Sequence, residues 1–217
     1  MILDKKKKYL QVALNNTLEE ANSILYRLPQ SDRILLEAGT PFIKQYGIES
    51  IRFLKSLRPE SYIVADLKTM DRGDTEAMFA KLAGASAAIA LGLAPIETIN
   101  VFVDSCKKLG LDSMVDMMNV DYPIKILRQL KKMPDVVLLH RGVDEENYNK
   151  SKPVPYIQIN KIRASYDVMI SIAGGDTIRE VQRAIFNDAN IVVVWKEFYK
   201  ATDNTGIIAE EFLKVIK

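Results

Sequence analysis

Short apolar runs alternate with longer segments in which apolar residues recur every three or four positions, from one end of the chain to the other. The first pattern marks strands and the second amphipathic helices. The apolar runs cover 9–15, 33–39, 62–68, 85–91, 113–118, 136–141, 168–173 and 191–195. Nearly all are continuous rather than alternating, as in strands covered on both faces of a parallel sheet. Helical periodicity covers 18–28, 41–57, 75–82, 95–109, 123–132 and 177–187, with a closing amphipathic helix over 207–216. Several of these open on proline at a first turn or on an N-capping Asp or Thr. The stretch 144–166 is the least regular: Pro153 and Pro155 break it, only 157–165 has helical character, and it reads as a mobile loop.

Eight strand-then-helix units are compatible with a (β/α)8 TIM barrel or a doubly wound open sheet. An open sheet would carry a glycine-rich phosphate loop after an early strand, and Asn15-Asn16-Thr17 has no glycine. The expectation is therefore one (β/α)8 barrel domain over residues 1–217. A chain of 217 residues buries a full core without disulfides, and Cys106, the one cysteine, has no intramolecular partner. Lys and Arg total 30 against 28 Asp and Glu, so no polyanion-binding surface is implied and nucleic acid is not an expected partner. The basic run Lys5 to Lys8 reads as a solvated gatekeeper rather than a binding tag. No apolar run approaches the roughly 18 residues of a membrane span. The stretch after Met1 is too short for a signal peptide, so the expectation is a cytoplasmic protein with no membrane partner.

Functional groups of a barrel come from the C-terminal ends of its strands and the loops that follow. Here those ends carry Asn15, Glu37, the cluster Asp66, Lys68 and Asp71, then Asp116, His140 with Arg141, Gly174 with Gly175, and Trp195 with Lys196. Asp66 and Lys68 are two apart, so on a strand they share a face, where opposite charges hold each other ionised. A purely structural buried ion pair is the alternative. Carboxylates from Glu37 and Asp66 meeting at one mouth would be relieved by a hard cation such as Mg²⁺, bound with waters and substrate oxygens. Protonation or pairing with lysine is the competing account. His140 is the only histidine, so any reaction needing imidazole near neutral pH must use it, although a lone histidine also serves structurally. Gly174-Gly175 opens a helix after the seventh strand, where backbone N–H groups can approach a phosphate, unless the glycines serve only the turn.

Four segments together resemble the orotidine 5′-phosphate decarboxylase superfamily: Leu10-Gln11-Val12-Ala13-Leu14, Glu37-Ala38-Gly39-Thr40, Ala65-Asp66-Leu67-Lys68-Thr69-Met70-Asp71 and His140-Arg141-Gly142-Val143-Asp144-Glu145. The similarity is greatest to its 3-hexulose-6-phosphate synthase branch. The resemblance implies an Mg²⁺-dependent aldol reaction joining formaldehyde to D-ribulose 5-phosphate, or its reverse, through an enediolate. It implies metal ligation by Glu37 and Asp66, charge compensation by Lys68 and proton transfer by His140. Asp71 would cross into the active site of a partner, which makes the expected assembly a homodimer. The phosphorylated ketose would meet Asn15, Thr40, Asp116, Arg141, Gly174, Gly175 and Lys196. Asn15 stands where close relatives carry aspartate, and Trp195-Lys196-Glu197-Phe198 replaces a glycine-containing phosphate segment. Decarboxylation of 3-keto-L-gulonate 6-phosphate, and a barrel that binds phosphosugars without turnover, are the alternatives.

Overall fold

A computed structural model describes residues 1–149 and 151–216 and turns each apolar run into a strand. The strands are β1 (Tyr9–Leu14), β2 (Ile34–Ala38), β3 (Tyr62–Thr69), β4 (Ala87–Leu91), β5 (Asp112–Asp116), β6 (Val136–His140), β7 (Met169–Ala173) and β8 (Ile191–Val194). All neighbours pair in parallel, and Tyr9↔Ile191 through Val12↔Val194 joins β1 to β8, closing the barrel in simple sequence order. The helices are α1 (Leu18–Arg27), α2 (Thr40–Tyr46), α3 (Glu49–Leu57), α4 (Gly73–Leu82), α5 (Ile96–Leu109), α6 (Pro123–Leu127), α7 (Val143–Tyr148), α8 (Ile157–Arg163), α9 (Ile178–Phe186), α10 (Lys196–Ala201) and α11 (Thr205–Val215). The expected (β/α)8 architecture is the one observed, and among the described residues no helix is long and apolar enough to cross a membrane.

Strands this apolar need cover on both sides, and the core accordingly divides in two. Leu35, Val64, Ile89, Met114, Leu138 and Val193 pack inside the barrel, while Leu10, Leu36, Ile63, Val115 and Ile170 face the helices. Leu3 joins the inner group, so the N-terminal segment plugs the lower end of the barrel. Buried Asp112 holds that plug by accepting the N–H groups of Ile2 (2.5 Å) and Leu3 (3.0 Å) and the hydroxyl of Tyr62 (2.7 Å). The lysine run then lies around the lower rim, with Lys5 on Asp167, Lys7 on Asp32 and Lys8 on Asp188, as a gatekeeper would.

Helix starts follow local chemistry. The hydroxyls of Thr17 and Thr177 accept the N–H of Glu20 and Glu180, whose carboxylates accept the threonine N–H in return. Four departures from the expected elements have local causes. The 41–57 helix is two, because Gly47 takes a left-handed φ of 66° between α2 and α3. The 123–132 helix stops at Leu127, where Gln129 and Leu130 bond back only three residues and Asn100 captures the N–H of Lys131. The expected loop 144–166 holds α8 where helical character was expected, over 157–165, but also α7: Glu145 caps α7 through the N–H of Gly142, and Asp144, Glu145 and Glu146 favour its N-terminal turn. Lys150, within that stretch, lies outside the described residues. Finally, β8 ends before Trp195 and α10 follows at once, anchored by fully buried Phe198.

At Gly47 an added Cβ would meet nothing within 4 Å, so Gly47→Ala isolates the backbone penalty. With ψ −163° the residue lies in a region essentially confined to glycine, so the substitution should lower unfolding free energy by about 1–3 kcal/mol in denaturant titration without altering the site.

Candidate active site

The C-terminal strand ends surround a cavity of about 500 Å³ into which Asn15, Glu37, Thr40, Asp66, Lys68, His140, Arg141, Gly174 and Trp195 all project or border. A larger cavity, about 620 Å³, lies at the opposite end against Tyr9, Ile34 and Tyr62; its Lys7 and Asp32 neutralise each other and it gathers no acid–base set. Chemistry therefore belongs to the smaller one.

Lys68 is the centre of the arrangement. Its Nζ lies 3.0 Å from Asp66 Oδ2 and 2.8 Å from Asp116 Oδ2. The strand-pleat argument predicts the right pair for the wrong reason. Lys68 has φ 47°, a left-handed conformation that costs a non-glycine residue about 1–2 kcal/mol, and pairing with β4 shifts register between Ala65 and Thr69. A kink, not an alternating strand, turns the ammonium back over Asp66. Such strain persists where surrounding contacts over-determine it, and here two carboxylates do so.

The remaining groups interlock. Thr40 Oγ1 donates to Asp66 Oδ2 at 2.8 Å. Asp116 Oδ1 accepts the N–H of Met118 at 2.9 Å, and its Oδ2 lies 2.8 Å from His140 Nδ1. Burial alone would raise the Asp116 carboxyl, but His140 and then Lys68 hold it down to about 2. An ionised carboxylate can only accept, so Nδ1 of His140 carries a proton and Nε2 is the atom left to exchange one. Burial pulls the His140 imidazole down, yet the charge and hydrogen bond of Asp116 raise it above its ordinary 6.5 overall. For Lys68, burial is likewise outweighed by Asp66 and Asp116, which hold the ammonium above its usual range.

Glu37 behaves oppositely. Burial, then repulsion from Asp66, pushes its carboxyl up to about 7, against the hydrogen bond from the Gln11 amide and the charges of Lys68 and His140. The Gln11 amide oxygen is itself buried with no partner. Two buried carboxylates, beside an amide oxygen with no partner among the described residues, form an all-oxygen donor set that suits a hard cation. Among the described residues no three His, Cys, Asp or Glu side chains are grouped to hold one alone. An ion at Glu37 and Asp66 would therefore complete its shell with water and substrate, as Mg²⁺ commonly does.

The structure does not place every expected site residue against the cavity. Asp116 has no exposed surface and does not line the cavity; it lies beneath Lys68 and His140 and pairs with both. Gly175 and Lys196 stand behind the cavity wall, because the Gly175 position packs on Glu180 and Lys196 is turned onto Glu146. Gly174 borders the cavity, but its φ of 96° and the 2.4 Å that would separate a Cβ from the Arg141 carbonyl oxygen already require glycine there. Asp71 is exposed and outside the cavity of its own chain. Asn15 lies against Gly39, where any Cβ would strike its side-chain oxygen, and its N–H donates to the Tyr199 hydroxyl at 2.8 Å. Gln11 and Glu146 were not singled out from sequence. Gln11 has a signal there, a lone amide within an apolar strand; Glu146 has none, since nothing in Asp144-Glu145-Glu146 tells which carboxylate faces the mouth.

Because the chain has one histidine, its imidazole proton resonance reports His140 without ambiguity. By NMR titration the native ring should titrate above 6.5. In Asp116→Asn, burial and Lys68 remain to oppose the charged form, so the midpoint should fall. A reaction using neutral His140 as base should accordingly gain rate as pH rises through the native midpoint. An unchanged midpoint in the variant would remove the coupling.

The family model described as Orotidine 5′-phosphate decarboxylase / HUMPS family matches residues 8–210. A bifunctional enzyme Fae/Hps of Methanocella arvoryzae is 37% identical over 211 residues, covering 96% of this chain and 53% of the relative. That of Archaeoglobus fulgidus is 40% identical over 204 residues, covering 92% and 51%. The chain thus spans about half the length of these curated relatives. The crystal structure of 3-hexulose-6-phosphate synthase from Salmonella typhimurium matches with a TM-score of 0.86 at 26% identity, covering 96% of this chain and 98% of that one. A match over nearly its whole length shows that this chain belongs to the orotidine 5′-phosphate decarboxylase / HUMPS family.

Proposed function

We infer that the chain is a carbon–carbon lyase acting on a phosphorylated ketose, joining formaldehyde to D-ribulose 5-phosphate or releasing it from the hexulose 6-phosphate. The observation that carries this reading is the buried network in which Asp116 binds both Lys68 and His140 below an open mouth. In the joining direction, His140 Nε2 takes a proton from C1 of the ketose, leaving an enediolate across C1 and C2. The C1 carbon then bonds to the formaldehyde carbon, and the new alkoxide takes up a proton. Lys68 offsets the negative charge that develops on the enediolate, as a fixed charge already in place before the reaction. Asp116 keeps both groups aimed, holds the Lys68 ammonium charged and fixes the His140 proton on Nδ1, which leaves Nε2 free to accept one. Glu37 and Asp66 would hold Mg²⁺, which supplies positive charge at the C2 carbonyl oxygen when bound. Asn15 can hydrogen-bond a sugar hydroxyl but cannot act as a base.

A second copy of the chain completes this reading. Met70, Met78, Phe79, Leu82 and Leu93 expose large apolar side chains on and beside α4, next to Asp71. A homodimer through this face would cover them and carry Asp71 toward the partner's mouth.

Formaldehyde release from 3-hexulose 6-phosphate should require Mg²⁺ and fall at least about 10²-fold in Lys68→Ala; full activity of that variant would remove the role of Lys68. Release of CO₂ from 3-keto-L-gulonate 6-phosphate, in place of formaldehyde exchange, would assign the decarboxylase reaction. Binding of the sugar phosphate without turnover of either substrate would leave a binding barrel. Mixing inactive Asp71→Ala with inactive Lys68→Ala should regain activity as subunits exchange, since a mixed dimer contains one intact site. No recovery, with dimers present by sedimentation, would confine Asp71 to its own chain.

A further inference from the structure

Two cations from different strand ends converge on one carboxylate at the outer wall of the cavity. Glu146, on α7, places Oε2 2.6 Å from Lys196 Nζ and Oε1 4.0 Å from an Arg141 guanidinium nitrogen. Arg141 follows β6 and Lys196 follows β8, so α7 is tied across the mouth by the pair. The guanidinium is held rigidly: it donates to the carbonyls of Gly174 (2.9 Å) and Lys152 (3.2 Å). Its Nε is buried and has no hydrogen-bond partner. Lys196 also lies over the Trp195 ring, 5.6 Å from its centroid, and 3.9 Å from Asp176 Oδ2. Asp176 is engaged elsewhere through Oδ1, which accepts the N–H of Trp195 at 2.8 Å.

We propose that Arg141 and Lys196 form the receptor for the substrate's phosphate and that Glu146 is a built-in competing anion which the phosphate displaces. This rests on the phosphorylated-ketose reading. A carboxylate brings one negative charge and two oxygens, whereas a phosphate monoester brings nearly two charges and three oxygens, and so competes with Glu146 for both cations. Glycine loops bind phosphate through backbone N–H groups; with Trp195-Lys196 at that strand end, this chain uses side-chain cations instead. Displacement removes the tie from α7 to the ends of β6 and β8 and leaves the Glu145–Lys152 pair, which joins α7 to the loop that follows it. An unphosphorylated sugar cannot evict Glu146, so the same exchange enforces selectivity for phosphorylated substrates.

Calorimetric titration of inorganic phosphate and of D-ribulose 5-phosphate, at fixed ionic strength, tests the exchange in the native protein, Glu146→Gln and Lys196→Met. Glu146→Gln should bind both ligands about three- to tenfold tighter and Lys196→Met should bind both more weakly by a similar factor, the scale of one half-exposed ion pair. D-Ribulose should not distinguish the three proteins. In the native protein, phosphate should accelerate amide hydrogen exchange over 143–148, a readout that needs no variant to fold. Unchanged or weaker phosphate binding in Glu146→Gln, or exchange over 143–148 that ignores phosphate, would overturn the proposal. Tighter phosphate binding in Glu146→Gln without any formaldehyde exchange by the native protein would keep this latch and discard the lyase. Formaldehyde exchange with an unaltered KM in Glu146→Gln would do the reverse.

Discussion

One carboxylate with no exposed surface organises the mouth of this barrel. Asp116 accepts from Lys68 and His140 through a single oxygen and from the backbone of Met118 through the other. Removing charges from water costs several kcal/mol per ion, and the cost is recovered only where geometry and hydrogen bonding are complete. Here they are, and the surplus is sufficient to keep Lys68 in a left-handed backbone conformation that an isolated strand would not adopt. The ammonium and the imidazole are consequently pinned in position before any ligand arrives. A site prepared this way stabilises a developing anion without reorganising around it.

Charge is distributed unevenly around the rest of the mouth. The side formed by β2 and β3 is acidic: Glu37 and Asp66 lie there, and Glu37 is pushed up to about 7 by its burial first and by Asp66 second. The side formed by the ends of β6 and β8 has Arg141 and Lys196 closed over by Glu146. A cation suits the first side and a dianion the second. Between them lie the imidazole and the ammonium, so a ligand with a carbonyl at one end and a phosphate at the other meets complementary charge along its length. The asymmetry comes from which strand ends carry which residues, and the barrel keeps those ends apart by a fixed spacing.

The lower end of the same barrel shows the opposite use of buried charge. Asp112, on the same strand as Asp116 and pointing to the same interior, spends its oxygens on the backbone of Ile2 and Leu3 and on Tyr62. It closes the base with the N-terminal segment instead of opening a site. Two aspartates four residues apart thus have separate tasks because one end of the strands is plugged and the other is lined by loops.

The eight strands were legible in the chain because burial on both faces demands long apolar runs, and seven helical segments because one apolar stripe repeats along each. The chemistry at strand ends was legible for a related reason: Glu37, Asp66, Lys68 and His140 are ionisable residues at the C-terminal ends of otherwise apolar runs. Short elements escaped, since α7 and α10 have six residues each and hold too few turns to show a period. Sequence determined which residues stand at the mouth. Tertiary structure decided what each one does there: that Asp116 lies under Lys68 and His140, that Lys68 reaches Asp66 through a kink, and that Glu146 rather than solvent faces Lys196. These are contacts between residues far apart in the chain, and their charges and pKa values follow from distance and burial, which only the closed barrel defines.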